Sequence, residues 1–499
     1  MAGPLQHLRT FLKGHGLLAV VLAFTLLFSL YKLTEAPPTW YDEGMIVQLS
    51  MNMVLHGTLA TQVAPGDFAS AAYTSTGFPV TVPIAVSFAL FGISLASARA
   101  VMVVYIVLLL CASYYFLERL AGKRIALFSA ALLATFAPLY GNGKNVLGEV
   151  PGLFFFILSL TFAYKMFEEG KWTKKNALLA GLFFGLCVAT KPTFLVLGPA
   201  ALIALGYVWF YERRRIPLAM LVWSGAAALL PVGAWVLTQF NIHDPVSRIL
   251  QFYANPYQLT DLPALALQNV VRFFRESTPL YLLGMLAPWG LALFARVKSR
   301  AHITFAEIVA FLVTLFVLAA YVRTPGWYRY LFPAQILAIL FFPVAVDYFV
   351  RRFSPTRAGD VVRRAGTVLL CGALLLQVYV LFFGSWVQAY WASARTSTLQ
   401  AYFGQLDPRT TFFVYDVPQI PIFLPQGAPY YQYISVNGEG YWALGDEERS
   451  VIGAQIPDII VASNGLEASS TQLFPGYRKR SDVANVIVLE RDPGVPVAH

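Results

Sequence analysis

The chain is short of charge. Asp, Glu, Lys and Arg make up 12% of its 499 residues, against about 25% in an ordinary soluble domain. It is also short of cysteine: Cys111, Cys187 and Cys371 all lie inside apolar runs. Their spacing excludes a disulfide framework and a cysteine metal cluster, and leaves them as small core residues. There is no internal repeat and no low-complexity stretch. The first apolar run, Gly16 to Leu33, is long and lacks a small-residue cleavage pattern, so it reads as a spanning helix and not as a cleaved leader.

What the chain has in excess is hydrophobicity, 58% of all residues, gathered in many runs of roughly 15–23 residues. That is the pattern of a polytopic helical membrane protein, since a helix satisfies its own backbone hydrogen bonds in hydrocarbon. The net charge of +10 then reads as Lys and Arg of cytoplasmic loops, with no nucleic-acid partner implied.

Basic clusters fall at Arg9/Lys13, Arg119/Lys123/Arg124, Lys171/Lys174/Lys175, Arg213/Arg214/Arg215, Arg296/Lys298/Arg300 and Arg351/Arg352/Arg357/Arg363/Arg364. Placing all of them inside requires an even number of crossings between neighbours. Three apolar runs, 16–33, 78–92 and 97–117, separate the first two clusters. The middle one is short and holds Pro79 and Pro83, so it is expected to lie at the outer interface without spanning. The other spans are expected near 125–140, 150–167, 176–190, 193–211, 217–239, 279–295, 303–321, 331–350 and 366–386. That makes eleven crossings, with the N-terminus inside and the C-terminus outside. A transmembrane domain over 1–389, with outer loops 34–96 and 240–278, is followed by a different region, 390–499. There the apolar runs shorten to Thr411–Tyr415, Pro457–Val461 and Asn485–Leu489, bounded by Pro, Gly and Asn, which predicts strands of a small α/β extracytoplasmic domain. A helix is expected between Glu439 and Gly453, and an amphipathic helix over Leu262 to Arg275.

The same topology puts several ionisable residues on the outer face. Asp42 and Glu43 follow the first span. Lys144 and Glu149 share the loop Gly141-Asn-Gly-Lys-Asn-Val-Leu-Gly-Glu149, and Lys191 lies in Ala189-Thr-Lys-Pro-Thr193. Arg323, Arg329 and Tyr330 lie in the segment 323–330. Converging carboxylates and cations fit a phosphate-bearing substrate and a proton acceptor. The plainer readings are helix capping for the acids, snorkelling for Lys191 and lipid headgroup contacts for the arginines. Glu307 is expected to pair with Arg300 or Lys298 of the basic face.

In this order the acidic pair, the second acid, Thr-Lys between short helices, and Tyr-Arg-Tyr-x-x-Pro over Tyr328 to Pro333 resemble a known group over roughly residues 20–350. It is the glycosyltransferase family 39 or protein O-mannosyltransferase-like group of integral-membrane GT-C enzymes, and the chain is similar to the lipid A aminoarabinose transferases. The run Leu90 to Arg99 resembles the group's stretch after its juxtamembrane segment. The resemblance implies an all-α polytopic bundle and an inverting transfer of a hexose or pentose from a polyprenyl-phosphate carrier to an outer-face acceptor. Asp42 would be the base, Glu43 and Glu149 would orient the site, and Lys191, Arg323 and Arg329 would hold the carrier phosphate. Lys144 stands where Arg is common. The first loop, Tyr73-Thr-Ser-Thr-Gly-Phe-Pro79, has neither the acid nor the Lys that relatives often place before Pro-Pro, which weakens a metal site; a divalent cation is an open cofactor beside the lipid-linked sugar. The rival functions are a transporter or flippase of lipid-linked saccharides, which predicts mid-span charges and inverted repeats, and a scaffold presenting the tail.

Overall fold

The computed structural model describes residues 4–240, 261–275, 279–324, 326–354, 359–436, 439–440, 457–464, 474 and 476–492. The apolar runs are helices, as hydrocarbon requires. In chain order they are α1 (Pro4–Leu30), α2 (Tyr41–His56), α3 (Phe78–Phe91), α4 (Leu95–Ala121), α5 (Lys123–Thr135), α6 (Ala137–Lys144), α7 (Glu149–Phe167) and α8 (Lys174–Thr190). Then come α9 (Leu197–Gly206), α10 (Leu218–Gln239), α11 (Leu262–Arg275), α12 (Pro279–Lys298), α13 (Phe305–Tyr321), α14 (Phe332–Phe353) and α15 (Gly359–Phe383). The core is built on α4, α7 and α14, whose apolar stretches are 61%, 61% and 72% buried, against 17% for α10 and for Gly359–Ala389. Helices that are apolar all round yet uncovered face lipid, and the chain is a multi-pass membrane protein. Hydroxyls tie the core helices together, as where Ser129 Oγ donates to the Leu340 carbonyl at 2.8 Å.

Six helices among the described residues are long and apolar enough to cross a membrane, seven if α5 and α6 count as one. The run expected as a single span at 125–140 is in fact that broken pair, bent by 63°. Pro138 lies in the first turn of α6, where it needs no backbone donor, whereas in an unbroken helix it would lose its bond to, and clash with, the Ala134 carbonyl. The helix over 78–91 has 14 residues, about 21 Å, and falls short of the ~30 Å hydrocarbon core. Gly16–Leu30 and α13 fall in the same shorter class, so helix length alone does not reproduce eleven crossings.

Beyond α15 come two short helices, α16 (Trp386–Ala389) and α17 (Arg395–Phe403), and a five-stranded sheet. With β1 (Ala60–Ala64) and β2 (Asp67–Ser70) forming a hairpin in the first loop, the sheet strands are β3 (Phe412–Tyr415), β4 (Tyr430–Tyr433), β5 (Ile459–Ser463), β6 (Tyr477–Val483) and β7 (Val486–Arg491). Their order is β4-β3-β5-β7-β6, with β3 parallel to β4 and β5, and β7 antiparallel to β5 and β6. The three expected strands are present. The hairpin, β4 and β6 were not foreseen, because Gln432 and the charged run Arg478-Lys-Arg480 break an apolar pattern. The helix expected over Glu439–Gly453 lies outside the described residues from 441 onward, and Glu439–Gly440 pairs instead with Ser435–Val436. One face of the sheet packs Leu399 and Phe403 of α17 together with Leu95 at the start of α4.

The long helices sort charges to two ends. α4 carries Arg99 near its start and Arg119 near its finish; α7 runs from Glu149 to the residue before Glu168; α8 runs from Lys174 to the residue before Lys191. The basic clusters therefore gather at one end and the Asp42 set at the other. At the basic end Glu307 pairs with Arg296 at 2.6 Å, not with Arg300 or Lys298, because Thr304 caps α13 and turns its first acid toward the last turn of α12.

Candidate active site

After α1 the chain turns over residues 31–35 and bends at 36–37, and α2 begins once Pro37 and Pro38, which cannot continue a helix ladder, are passed. Trp40 is its N-cap and offers no side-chain cap, so the acids of the first turn suit the helix dipole without capping it. Successive residues on a helix point about 100° apart, and Asp42 and Glu43 diverge accordingly. Glu43 is fully buried. Its carboxylate takes a two-pronged grip from Arg99, with Nε at 2.8 Å and Nη2 at 2.6 Å, and accepts from the Val146 amide at 3.0 Å. The remaining Arg99 nitrogen, Nη1, donates to the carbonyls of Leu33 and Pro37 at 2.8 and 2.7 Å. This pair fastens the first loop, α4 and the loop 141–149 together, and every polar atom of both side chains has a partner. Asp42 is one-third exposed and pairs with buried Arg329.

The other residues fall into two groups. Glu149 and Lys191 form a buried ion pair, with the second carboxylate oxygen of Glu149 left without a partner. Lys191 is held there by close backbone packing: a Cβ on Gly148 would lie 2.8 Å from the Thr190 carbonyl. Lys144 is buried too, and its ammonium donates to the Tyr31 carbonyl at 3.0 Å. Arg329 donates to the Tyr330 hydroxyl at 3.1 Å and lies 4.8, 4.6 and 5.0 Å from the ring centres of Trp40, Trp327 and Tyr330. Those rings favour a cation where water is excluded. Burial pulls the Arg329 guanidinium down to about 9, which leaves it charged at neutral pH. Arg323 is not brought into this set. It is exposed in the turn after α13, where α11 covers the neighbouring backbone through Asn269, which donates to the Val322 and Thr324 carbonyls at 3.1 and 2.6 Å.

A cavity of about 590 Å³ opens beside Arg329, lined by the 37–40 segment, Asn142, Asn145, the 327–329 turn, Trp386, Tyr390 and Arg395. Several polar atoms of its lining residues are buried without a hydrogen bond: Trp40 Nε1, Asn142 Nδ2, Asn145 Oδ1 and Arg329 Nε. Such atoms cost about 1–3 kcal/mol each if nothing meets them, so their convergence marks a place for a polar ligand. Trp386 also lines a second, larger cavity of about 1230 Å³, walled by apolar residues of α12, α14, α15 and the α5–α6 bend. The two chambers share this tryptophan as a wall, and they differ in charge: arginines line the smaller one and no charged side chain lines the larger. Each site acid faces a cation, and no three His, Cys, Asp or Glu side chains gather among the described residues.

Sequence reasoning missed Arg99, Trp40, the two asparagines and every contribution from beyond residue 384. Arg99 had a signal, a charge near the start of an otherwise apolar helix. The tail had none, because its residues meet the site through folding. Tyr41 donates to Asp416 at 3.1 Å. Gln48 and Gln432 exchange amide hydrogen bonds at 3.0 Å, and Gln48 also donates to the Pro418 carbonyl at 2.7 Å. The backbone at Gln419 comes so close to α2 that a Cβ on Gly44 would sit 2.3 Å from its nitrogen.

Residues 80–237 match the family model described as dolichyl-phosphate-mannose-protein mannosyltransferase. The fold is that of ArnT from Cupriavidus metallidurans in the apo state, at a TM-score of 0.61 and 14% identity, covering 95% of this chain and 96% of that one. The same protein bound to undecaprenyl phosphate superposes at 0.57 with 15% identity, covering 95% and 98%. The Archaeoglobus fulgidus oligosaccharyltransferase, solved with an inhibitory peptide and a dolichol-phosphate, superposes at 0.54 with 12% identity, covering 97% of this chain and 75% of that one. An uncharacterised Aquifex aeolicus protein is 27% identical over 208 residues, 40% of this chain and 39% of its own length. The chain therefore has a GT-C architecture, as the sequence resemblance implied, with a small sheet region at its C-terminal end, as the short apolar runs of the tail predicted.

Proposed function

We propose that this protein is an integral-membrane glycosyltransferase that moves a sugar from a polyprenyl-phosphate carrier to an acceptor hydroxyl at the outer face of the cytoplasmic membrane. The observation that carries the reading is the shared wall at Trp386, between a chamber lined by Arg329 (the partner of Asp42) and Arg395 and a larger chamber without charged side chains that has room for isoprene units. A lipid phosphate has this two-part chemistry, and the ArnT structure bound to undecaprenyl phosphate and the Archaeoglobus enzyme bound to dolichol-phosphate support the same ligand class. Membrane lipids supply the surroundings, and the acceptor's class stays open.

The chemistry follows from the pairing. In the free enzyme Asp42 is neutralised by Arg329. A carrier phosphate entering the chamber competes for that guanidinium. Asp42 then loses its countercharge, and its carboxylate becomes a stronger base. It takes the proton of the acceptor hydroxyl, the hydroxyl oxygen forms a bond to the anomeric carbon, and the bond from that carbon to the phosphate oxygen breaks. The electron pair leaves with the polyprenyl phosphate, and Arg329 meets the growing charge. Direct displacement inverts the anomeric centre. Glu43, committed to Arg99, holds the first loop in place, and Glu149 with Lys191 shapes the neighbouring wall.

Membranes containing the protein are expected to transfer sugar from an undecaprenyl-phosphate donor. Asp42→Asn should lower the rate by about 10²–10⁴ while insertion and carrier binding persist. Undiminished transfer by Asp42→Asn removes Asp42 from the role of base.

A further inference from the structure

The cations at this end are not equivalent. Arg99 is spent on Glu43 and Lys191 on Glu149, Arg329 starts out paired with Asp42, and Lys144, held on the Tyr31 carbonyl, does not line the chamber. One guanidinium lining the chamber beside Arg329 pairs with no carboxylate among the described residues: the exposed Arg395, the first residue of α17, in the tail. Its nearest partner is neutral. Asn485, in the β6–β7 turn with φ 76°, presents its amide oxygen 2.7 Å from Arg395 Nη2 when the amide is oriented oxygen-inward. The position of Arg395 is set by the first loop. The buried Glu35 carboxylate accepts from the amides of Thr396 and Ser397 at 3.0 and 2.8 Å, and Thr396 Oγ1 donates to the Thr34 carbonyl at 2.7 Å. The α17 start is thereby fastened seven residues upstream of Asp42.

We propose that Arg395 is the second cation of the carrier-phosphate chamber, so that the tail supplies part of the donor site. The proposal rests on the donor reading above and adds a residue to it. Charge counting supports it. Before reaction the chamber would hold two guanidiniums against the Asp42 carboxylate and one phosphodiester charge. After reaction Asp42 carries the proton, and the departing phosphate monoester bears up to two charges. The two arginines balance the set in both states, whereas Arg329 alone would leave an excess negative charge in a half-buried site. Three residues of the chamber wall, Trp40, Asn142 and Arg329, carry buried donor nitrogens without a partner, which small side-chain shifts would turn toward phosphate oxygens.

The test uses the full chain in nanodiscs and measures binding of undecaprenyl phosphate and of undecaprenol, which differ by the phosphate. Wild type should prefer the phosphate. Arg395→Gln should lose about tenfold of that preference, with part regained in Arg395→Lys and undecaprenol binding unchanged. Asn485→Asp leaves the arginine in place but sets a carboxylate against it, and should weaken phosphate binding in the same direction. If Arg395→Gln and Asn485→Asp both bind undecaprenyl phosphate as wild type does while Arg329→Gln loses it, the donor reading stands and Arg395 falls out of the site. If Arg395→Gln weakens both lipids equally, the effect is on the fold, and the proposal is overturned. If wild type itself does not distinguish phosphate from alcohol, the donor reading fails, and this proposal with it.

Discussion

The two ends of the helical bundle are both rich in ion pairs, and they use them differently. At the basic end His302 bridges Glu168 and Glu212 at 2.6 and 2.8 Å, Arg214 pairs with Glu212 at 3.0 Å, and Arg296 pairs with Glu307 at 2.6 Å. His302 and Arg214 are each more than a third exposed, and no cavity described above opens there. Acids and cations meet each other and tie neighbouring connections. At the Asp42 end the pairs are buried, and around them polar atoms are left facing a chamber. Burying charge costs several kcal/mol per ion before any pairing offsets it. A polar cluster placed in that costly setting beside a cavity is what a binding site looks like, and a cluster whose His302 and Arg214 stay half in water with no cavity beside them is what a fastening looks like. Within the Asp42 end the same contrast recurs: Glu43 is complete and Asp42 is not.

The largest expected effect breaks that inner contrast directly. Asp42→Asn should remove transfer, by the factor given above, with little change in melting temperature. Arg99→Met should do the reverse. It strands Glu43 as a buried unpaired charge, at a cost of about 3–5 kcal/mol, and should appear as loss of folded protein in membranes. Were Asp42→Asn to unfold the protein and Arg99→Met to leave it stable but inactive, the roles would be exchanged. A smaller effect is expected at the seam with the tail. Gln48→Ala removes the donor to the buried Gln432 amide oxygen and to the Pro418 carbonyl, leaving Gln432 its bond to the Gln62 carbonyl, and should cost about 1–3 kcal/mol, measured as thermal stability in detergent. Because α2 carries both Gln48 and Asp42, transfer should fall along with stability.

The fold was legible where one rule dominates. Long apolar runs had to be helices, and short β-branched runs such as Thr411–Tyr415 between turn residues read as strands. The break at Phe136 was not legible as a break, because hydropathy runs continuously across it and Pro138 alone does not say whether a helix kinks or stops. Of the candidate residues, Asp42, Glu43, Lys144, Glu149, Lys191, Arg329 and Tyr330 lie at one end of the bundle, which charge sorting across the loops had put together. Arg323 does not join them, since a residue's side of the membrane says nothing about which way its turn points. Arg395, Trp386 and Asp416 could not be found by order along the chain: they reach the first loop from more than 340 positions away through tertiary packing.

The smallest effect belongs to the basic end and tests whether it is a fastening alone. The hydrogen bond from Glu168 raises the pKa of His302 above its ordinary value, against partial burial that pulls the other way, with Glu212 adding to the rise. A histidine raised in the folded state contributes stability that is fully present below its unfolded pKa, near 6.5. That contribution is lost as pH rises through the higher folded value. His302→Gln should therefore melt lower than wild type at about pH 5.5 and approach it at about pH 9. Exposed pairs of this kind contribute within ~1 kcal/mol, so the gap should be a few degrees at most. Transfer by His302→Gln, assayed at a temperature well below its melting point, should match wild type, because the site lies a full helix length away, about 28 Å along the 19 residues of α7. A loss of transfer without loss of stability would mean that the two ends are coupled, and that the basic cluster does more than fasten its loops.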